Sequence, residues 1–421
     1  MNSKNILFFL LLILLFTINN YAKVINSNSI PLIINDVIVC SDNTNVSSQK
    51  TLGKFVPLTG DIEQLKNFFN ALKNSKNRII KIAHYGDSLI QGDVITEYLR
   101  EFFQEKFGGK GIGFLSIVSN DIKMKTSIRH SYSDDWKYVS IVTRNPENLP
   151  LGISGAVAIP KINSWVKYET TENLKSTSSF NLVKIYYSNA DNNSVIQYKI
   201  NNGNATNINL ESGQSLKELK INLNVPGKSF EMKFISGKAP YIYGVSLESG
   251  NGVYVDNFPM PGNSGVSLLQ ISESVLQDFK KYSDYSLIIL TYGANVNAPK
   301  KEIFNYYESK MINVIEFLRR AFPNAGIILV GVGDKTMKVG NKFITNPDVP
   351  LLLAAQKKIT EKSKVAFWNL WEAMGGENSM IEWVSANPPM ALKDFSHFTQ
   401  IGGKRIAQLL FDAIMDAYKK M

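Results

Sequence analysis

Hydrophobic residues follow two different patterns along the chain. Short continuous apolar runs, which are typical of buried parallel strands, lie at 79–85, 287–291, 327–332 and 365–369. Helical spacing of apolar residues predicts helices over 61–73, 94–107, 268–279, 301–322, 351–362 and 402–418. Because these strands and helices alternate, the sequence predicts a doubly wound α/β fold with a parallel sheet.

A different pattern fills the middle of the chain, from about residue 114 to 255. Short runs rich in β-branched and aromatic residues are separated there by turns rich in Asn and Gly. The clearest runs are 183–187, 195–200, 219–223, 230–235 and 241–247. This pattern is typical of an antiparallel sandwich or jelly roll. We therefore expect an all-β sandwich over 116–255, inserted into an α/β domain formed by 23–115 and 256–421.

The first residues have the pattern of a targeting segment. Lys4 is followed by an unbroken apolar run over 6–16 and a polar stretch over 17–22. The run is too short for the roughly 20 residues that span a bilayer, but it fits the apolar part of a secretory signal peptide. We expect 1–22 to be a signal peptide and the mature protein to be periplasmic, on the cell surface or secreted, with no membrane span. An uncleaved anchor is the alternative.

Composition and charge narrow the class of protein. Lys and Arg number 46 against 36 Asp and Glu, which gives a formal net charge of +10. The basic residues are scattered, which suits an anionic polymer surface better than sequence-specific binding of nucleic acid, so no nucleic-acid partner is expected. Cys40 is the one cysteine, so no intrachain disulfide and no CxxC site can form. His84, His130 and His397 are the three histidines, and any catalytic imidazole must be one of them.

Three polar clusters follow predicted strands or precede the last helix. They are Gly86-Asp87-Ser88, Thr291-Tyr292-Gly293-Ala294-Asn295, and Asp394-Phe395-Ser396-His397. Taken alone, the first is better explained as a helix cap and the last as an exposed loop pair. Taken together, they place a hydroxyl, an amide donor and an oriented imidazole at one edge of a sheet, where α/β enzymes bind their ligands. This combination predicts nucleophilic catalysis by a serine.

The sequence resembles the SGNH or GDSL hydrolases. Members of that family have a serine in a Gly-Asp-Ser block, a glycine in a second block, an asparagine in a Gly-x-Asn block and a histidine in an Asp-x-x-His block. The resemblance implies that Ser88 is the nucleophile, His397 the general base and Asp394 the carboxylate that orients it. It also implies an oxyanion hole formed by the backbone N–H groups of Ser88 and Gly265 and by the side chain of Asn295.

Three further stretches, 84–88, 107–114 and 373–376, resemble the peptidoglycan O-acetylesterases within this family. Their catalytic domain is likewise interrupted by a β domain similar to a carbohydrate-binding module. Leu89 and Val296 depart from the pattern, but neither is a triad position. The resemblance implies an exported serine esterase that removes O-acetyl groups from a carbohydrate polymer, with peptidoglycan as the expected polymer. It implies no cofactor. A deacetylase of another polysaccharide, an acetyltransferase and a non-catalytic glycan-binding protein remain alternatives, and the oligomeric state stays open.

Other candidate residues have competing interpretations. Trp383 lies shortly before the Asp-x-x-His block and is expected to line the substrate cleft. His84 is interpreted as a hydrogen-bonded core residue and His130 as a surface residue. The aromatic residues of the middle segment either stack on sugar rings or fill the core of a sandwich: Trp136, Trp165, Tyr168, Tyr186 and Tyr187. No HExxH, EF-hand or P-loop pattern occurs, and no metal site is expected.

Overall fold

The structure is a computed structural model that describes residues 52–296 and 301–421. The signal peptide expected over 1–22 and Cys40 lie outside the described residues.

The strands are, in chain order, β1 (Thr59–Gly60), β2 (Ile79–Gly86), β3 (Lys110–Leu115), β4 (Ile128–Tyr132), β5 (Lys137–Ser140), β6 (Ala156–Ile159), β7 (Trp165–Thr170), β8 (Phe180–Ser188), β9 (Val195–Ile200), β10 (Thr206–Asn209), β11 (Lys217–Gly227), β12 (Ser229–Ser236), β13 (Tyr241–Ser249), β14 (Gly252–Pro259), β15 (Tyr285–Thr291), β16 (Gly326–Val330), β17 (Thr336–Val339), β18 (Lys342–Thr345) and β19 (Ala366–Trp368).

The α-helices are α1 (Lys66–Lys73), α2 (Thr96–Phe107), α3 (Glu273–Lys280), α4 (Lys301–Ala321), α5 (Asp348–Ser363), α6 (Leu370–Met374), α7 (Ser379–Ser385) and α8 (Gln400–Lys420). Short 3-10 helices lie at Glu63–Leu65, Ser75–Asn77, Ser88–Asp93, Lys175–Thr177 and Val266–Gln270.

A six-stranded sheet forms the centre of the α/β part of the chain. Its order is β1-β19-β16-β15-β2-β14. Five of its strands are parallel to one another: β14, β2, β15, β16 and β19. The sixth, β1, pairs antiparallel with β19 at the edge. The predicted α/β fold with a parallel sheet is confirmed.

Both faces of this sheet are covered, because successive side chains of a strand point to opposite faces. Along β2, Ile80 and Ile82 pack with side chains of α1, α2 and α8. Ala83 and Tyr85 pack on the other face with side chains of α3, α4 and α5. Burial of the strand on both faces accounts for its continuous apolar sequence.

Two antiparallel sheets contain the middle of the chain. One has the order β10-β9-β12-β7-β4, and the other has the order β11-β8-β13-β6-β5 with β3 added beside β13. Side chains of both sheets share one hydrophobic cluster, which includes Val166, Tyr168 and Phe230 from the first sheet and Val183 and Val245 from the second. β3 lies before the boundary expected at residue 116, and β14, which begins at Gly252, belongs to the parallel sheet. That 116–255 form a sandwich domain of their own stays a prediction.

Four buried charged side chains link the parallel sheet to an antiparallel one. Lys81 Nζ of β2 lies 2.6 Å from Glu248 Oε1 of β13 and 3.4 Å from Asp256 Oδ2 of β14. Lys184 Nζ of β8 lies 2.7 Å from Glu248 Oε2. Burial acts to raise the pKa of Glu248, but the two ammonium groups lower it to about 2. Glu248 is therefore ionised and paired on both carboxylate oxygens.

Candidate active site

Ser88 lies in the turn that follows β2. β2 ends at Gly86, Asp87 is extended, and a 3-10 helix begins at Ser88. The strand does not run directly into an α-helix, since α2 begins only at Thr96. Gly92 and Asp93 have φ values of +68° and +61°, which interrupt any regular helix at this point. Ser88 is half-buried in a tight turn rather than at an α-helix N-terminus.

The Asp87 side chain joins the ends of β2 and β15. Its Oδ1 accepts a hydrogen bond from the backbone N–H of Leu89 at 3.0 Å, and its Oδ2 accepts from Gly293 at 3.2 Å and from Ala294 at 3.1 Å. Burial raises the pKa of Asp87 to about 6, although these three N–H groups favour the charged form. The contacts hold the turn at Ser88 and the loop that carries Asn295 at the same edge of the sheet.

His397 connects the other two predicted catalytic side chains. His397 Nε2 lies 2.8 Å from Ser88 Oγ, and His397 Nδ1 lies 2.8 Å from Asp394 Oδ2. A carboxylate at Nδ1 favours the tautomer with the proton on Nδ1, which leaves the Nε2 lone pair free to accept the serine proton. The structure thus brings Ser88, His397 and Asp394 into one hydrogen-bonded chain across 309 residues of sequence.

Asp394 is held by its own loop. Its Oδ1 accepts hydrogen bonds from the backbone N–H groups of Ser396 and His397, both at 3.0 Å. Partial burial acts to raise the pKa of Asp394, but these bonds and the imidazole hold it below its ordinary value. The carboxylate is therefore charged at neutral pH, as its expected role requires.

Asn263 contacts both of the other expected oxyanion-hole residues. The Gly265 N–H donates to Asn263 Oδ1 at 2.8 Å, and Asn295 Nδ2 donates to the Asn263 backbone oxygen at 3.2 Å. Gly265 has a φ of +94°, and a Cβ there would lie 2.9 Å from the Tyr292 ring. The Gly265 N–H is thus engaged in this structure, while the Asn295 amide retains a second N–H.

Sequence reasoning missed Asn263 and the contacts of the Asp87 carboxylate. A signal was present for Asn263, because an Asn side chain often accepts a hydrogen bond from the backbone N–H two residues later, in an Asx turn. No local signal could indicate that Asp87 reaches Gly293 and Ala294, which are more than 200 residues away in sequence.

Trp383 does not lie in the cleft. Its side chain is fully buried, and its Nε1–H donates to the Met374 oxygen at 3.0 Å. The expectation that it lines the substrate cleft is wrong. The sequence places it close before the Asp-x-x-His block, but α7 turns its ring into the core.

The other two histidines are buried. His84 lies between Thr96 Oγ1 and Thr291 Oγ1, at 2.8 and 2.9 Å, so its interpretation as a hydrogen-bonded core residue is confirmed. His130 was expected at the surface, which is wrong. It is 7% exposed, its ring centroid lies 4.6 Å from that of Tyr168, and its Nε2 lies 3.0 Å from the Ile117 oxygen.

The aromatic residues of the middle segment pack mainly in the interior. Trp136, Tyr168, Tyr186 and Tyr187 are all less than 9% exposed, and Trp165 is half-buried. Core packing therefore accounts for four of the five.

A cavity of about 380 Å³ lies beside the Ser88 turn. Gln91 lines it from that turn, and Asn257 and Met260 line it from the end of β14 and just beyond. The Met260 N–H donates to the Gly86 oxygen at 2.7 Å. This part of the wall therefore follows β14, the strand next to the one that ends before Ser88. The rest of the wall comes from the segment after β3 and from the region of β5 and β6: Ser116, Val118, Asn120, Lys125, Tyr138, Ile141, Thr143, Ser154 and Gly155.

The described residues offer neither a metal site nor a membrane-spanning helix. No group of three or more His, Cys, Asp or Glu in 52–296 and 301–421 could hold a metal ion. Within the same ranges, no helix has the length and apolar character needed to cross a membrane.

Comparison with known structures identifies the fold. A solved structure of a peptidoglycan O-acetylesterase superposes with a TM-score of 0.71 at 20% identity, over 86% of this chain and 99% of that one. A family two carbohydrate esterase from Cellvibrio japonicus matches at 10% identity over 70% of this chain and 98% of that one, but its TM-score of 0.28 carries no structural argument. No protein-family model matches the chain, and no curated protein matches it significantly.

The resemblance to the SGNH or GDSL hydrolases is confirmed at the level of the fold. The architecture over most of the chain is similar to that of a peptidoglycan O-acetylesterase.

Proposed function

We propose that this chain is a serine esterase that removes O-acetyl groups from a carbohydrate polymer. The observation that carries the proposal is the hydrogen-bonded chain from Asp394 through His397 to Ser88. A serine hydroxyl is a weak nucleophile until a base takes its proton, and an imidazole oriented by a carboxylate supplies that base.

The proposed reaction has two steps. Ser88 Oγ attacks the acetyl carbonyl carbon while its proton passes to His397 Nε2, and the sugar oxygen then leaves with that proton. Water, deprotonated by His397, next attacks acetyl-Ser88 and releases acetate. The negative oxygen of each tetrahedral intermediate accepts hydrogen bonds from the Ser88 and Gly265 N–H groups and from the Asn295 amide, so Gly265 exchanges Asn263 Oδ1 for this oxygen.

We propose peptidoglycan as the polymer. The fold is similar to that of a peptidoglycan O-acetylesterase, and the net charge of +10 favours an anionic wall polymer. The cavity that Gln91 lines has polar and apolar walls, as a site for a sugar with an apolar ring face requires, and its volume is within the range of ligand sites. We further propose that 116–255 act as a β-sandwich insertion that positions the glycan, and that 1–22 direct export.

Acetate release tests the proposal. Purified wild-type protein and the Ser88→Ala variant are incubated with O-acetylated peptidoglycan and, side by side, with acetylated xylan. We expect wild type to release acetate from peptidoglycan with the higher kcat/KM and Ser88→Ala to lose several orders of magnitude on both polymers. Acetate released must also equal ester lost, because transfer to another sugar would preserve the ester.

Three results would contradict parts of the proposal. Full activity in a folded Ser88→Ala variant would exclude the serine mechanism. A higher kcat/KM on xylan would exclude peptidoglycan as the preferred polymer. Binding of either polymer without any acetate release would favour a glycan-binding protein.

A further inference from the structure

A two-stranded hairpin, β17 and β18, lies against the loop that carries Asp394 and His397. Its register pairs Met337 with Ile344 and Lys338 with Phe343. Residues directly opposite each other in such a pair share a face, so Phe343 and Met337 lie on opposite faces of the hairpin. Both side chains are largely exposed, at 42% and 39%.

Phe343 stacks on Phe395, the residue that directly follows Asp394. The ring centroids lie 4.2 Å apart with an angle of 18° between the ring planes. A second contact comes from the same hairpin, since the Thr336 N–H donates to the Phe395 oxygen at 3.3 Å. The hairpin therefore touches the loop through both a side chain and the backbone.

Phe395 has an unusual backbone conformation. Its φ is +56°, which lies in the left-handed region. Residues with a large side chain rarely adopt this conformation. This turn allows the Asp394 carboxylate to accept from the Ser396 and His397 N–H groups and to reach His397 Nδ1. A residue in such a conformation persists only where neighbouring contacts hold it.

The base of the hairpin is anchored in the interior. Thr345 Oγ1 donates to Asp334 Oδ1 at 2.8 Å and accepts from the Asn378 N–H at 2.6 Å. Asp334 is 2% exposed and also accepts from the Met380 N–H at 2.8 Å. The buried carboxylate thus fixes the hairpin to the start of α7, and the exposed Phe343 projects from a fixed base.

We propose that Phe343 is a positioning residue for the reaction. Resting on the proposed function, this role is to hold Phe395 in its left-handed turn, so that Asp394 and His397 stay aligned with Ser88. Phe343 acts through Phe395 and touches no reacting atom. Its loss therefore lowers the rate of the chemical step and leaves substrate binding unchanged.

The test compares Phe343→Ala with Met337→Ala, a matched control of similar exposure on the opposite face. With a soluble aryl acetate we expect Phe343→Ala to lower kcat by about 10- to 100-fold at unchanged KM, because small displacements of catalytic groups cost rates of this order. Modification of Ser88 by a fluorophosphonate should slow by a similar factor. Phe343→Tyr, which keeps the ring stack, should restore both rates, and Met337→Ala should behave as wild type.

A double-mutant cycle with Phe395→Ala separates this role from a loss of folding. If Phe343 acts through Phe395, replacing it in the Phe395→Ala background adds little further loss. Phe343→Leu serves as the second variant, since it keeps an apolar side chain without the ring. Thermal unfolding of every variant shows whether the fold is intact.

Each outcome decides the question. Wild-type kcat and Ser88 reactivity in folded Phe343→Ala, additive losses in the cycle, or equal losses in Met337→Ala would overturn the positioning role and leave the proposed function standing. A wild-type chain whose Ser88 is unreactive and that hydrolyses no acetyl ester would overturn the proposed function and this role together.

Discussion

Of the three histidines, only His397 lies in contact with Ser88, and its side chain is 39% exposed. Burial lowers the pKa of His84 and of His130 to about 3, so neither ring takes up a proton in the range where a solvated imidazole titrates. Their replacement should affect folding rather than the pH profile.

The pH dependence of activity should follow His397 alone, because the other two histidines are buried away from Ser88. Protonated His397 cannot accept the Ser88 proton, so kcat/KM for an aryl acetate should fall on acidification. The decline should persist in variants of His130 that remain folded. A flat profile between about pH 5 and 8 would be incompatible with a histidine base.

Asn295 offers the clearest single donor to test. Its amide is half-exposed and donates one N–H to the Asn263 oxygen, which leaves the other for a developing oxyanion. Asn295→Asp keeps the size but replaces this donor by a negative charge. We expect kcat to fall by about 10²- to 10³-fold, as when a single oxyanion-hole donor is removed.

The control for this variant is Asn305→Asp, an exposed residue of α4 that lines a second pocket without any of the candidate site residues. Its kcat should equal that of wild type. If Asn295→Asp retained normal turnover while folded, the amide would not belong to the oxyanion hole.

At the scale of elements, four strands of the parallel sheet were predictable, and β14 and β3 were not. β2, β15, β16 and β19 carry continuous apolar runs that only burial on both faces explains. β3 contains Gly111 and Gly113, which are poor strand residues. The structure shows why they are there, since a Cβ at Gly111 would lie 2.4 Å from the Leu247 oxygen and one at Gly113 would lie 2.3 Å from Asp256 Oδ1.

The candidate site likewise contains residues that the sequence predicts and residues whose environment it does not. Ser88, Asn295, Asp394 and His397 were predictable because each belongs to a short motif that is readable locally. The burial of Trp383 and His130 was not, because an aromatic residue is equally compatible with a cleft and with a core until its neighbours are known. The hairpin of β17 and β18 was also missed, although Gly340-Asn341 between alternating residues is a turn signal.

The cavity wall supplies a prediction about substrate recognition. Ser154 lines the cavity, and its buried hydroxyl oxygen makes no hydrogen bond among the described residues. A buried hydroxyl without a partner is costly, and a sugar hydroxyl would satisfy it. Ser154→Ala should therefore raise KM for O-acetylated peptidoglycan several-fold and leave aryl acetate hydrolysis unchanged, since the small ester does not fill the cavity.

Ser363→Ala is the matched control, because Ser363 Oγ in α5 is likewise buried and without a partner but lies outside the cavity wall. Both polymer and aryl acetate kinetics should be unaffected by it. Equal losses on the two substrates in Ser154→Ala would show that the residue supports the fold rather than the glycan.

At the scale of the whole molecule, the buried charges of Lys81, Lys184 and Glu248 couple two sheets of different type. Glu248→Gln would leave two ammonium groups without their shared carboxylate, and breaking a buried pair in this way costs about 3–5 kcal/mol. We expect a drop of this size in the free energy of unfolding, measured by urea denaturation. Glu147→Gln, which alters an exposed pair with Lys137, should leave the denaturation midpoint unchanged.

The same carboxylate gives stability a pH dependence of defined sign. Its folded pKa of about 2 lies below the ordinary value, so its contribution is fully present above pH 4.5 and is lost as pH falls toward 2. Glu248→Gln should remove that part of the acid sensitivity. Stability that falls equally with pH in wild type and variant would show that Glu248 does not carry it.

The separation of Ser88 from His397 along the chain has a consequence for synthesis. Ser88 is synthesised first, and the base proposed for it follows 309 residues later. Residues so far apart come together late in folding, because a long loop must close first. A nascent or truncated chain that ends before His397 therefore lacks the base proposed for Ser88, so the proposed hydrolysis cannot begin before His397 has been synthesised.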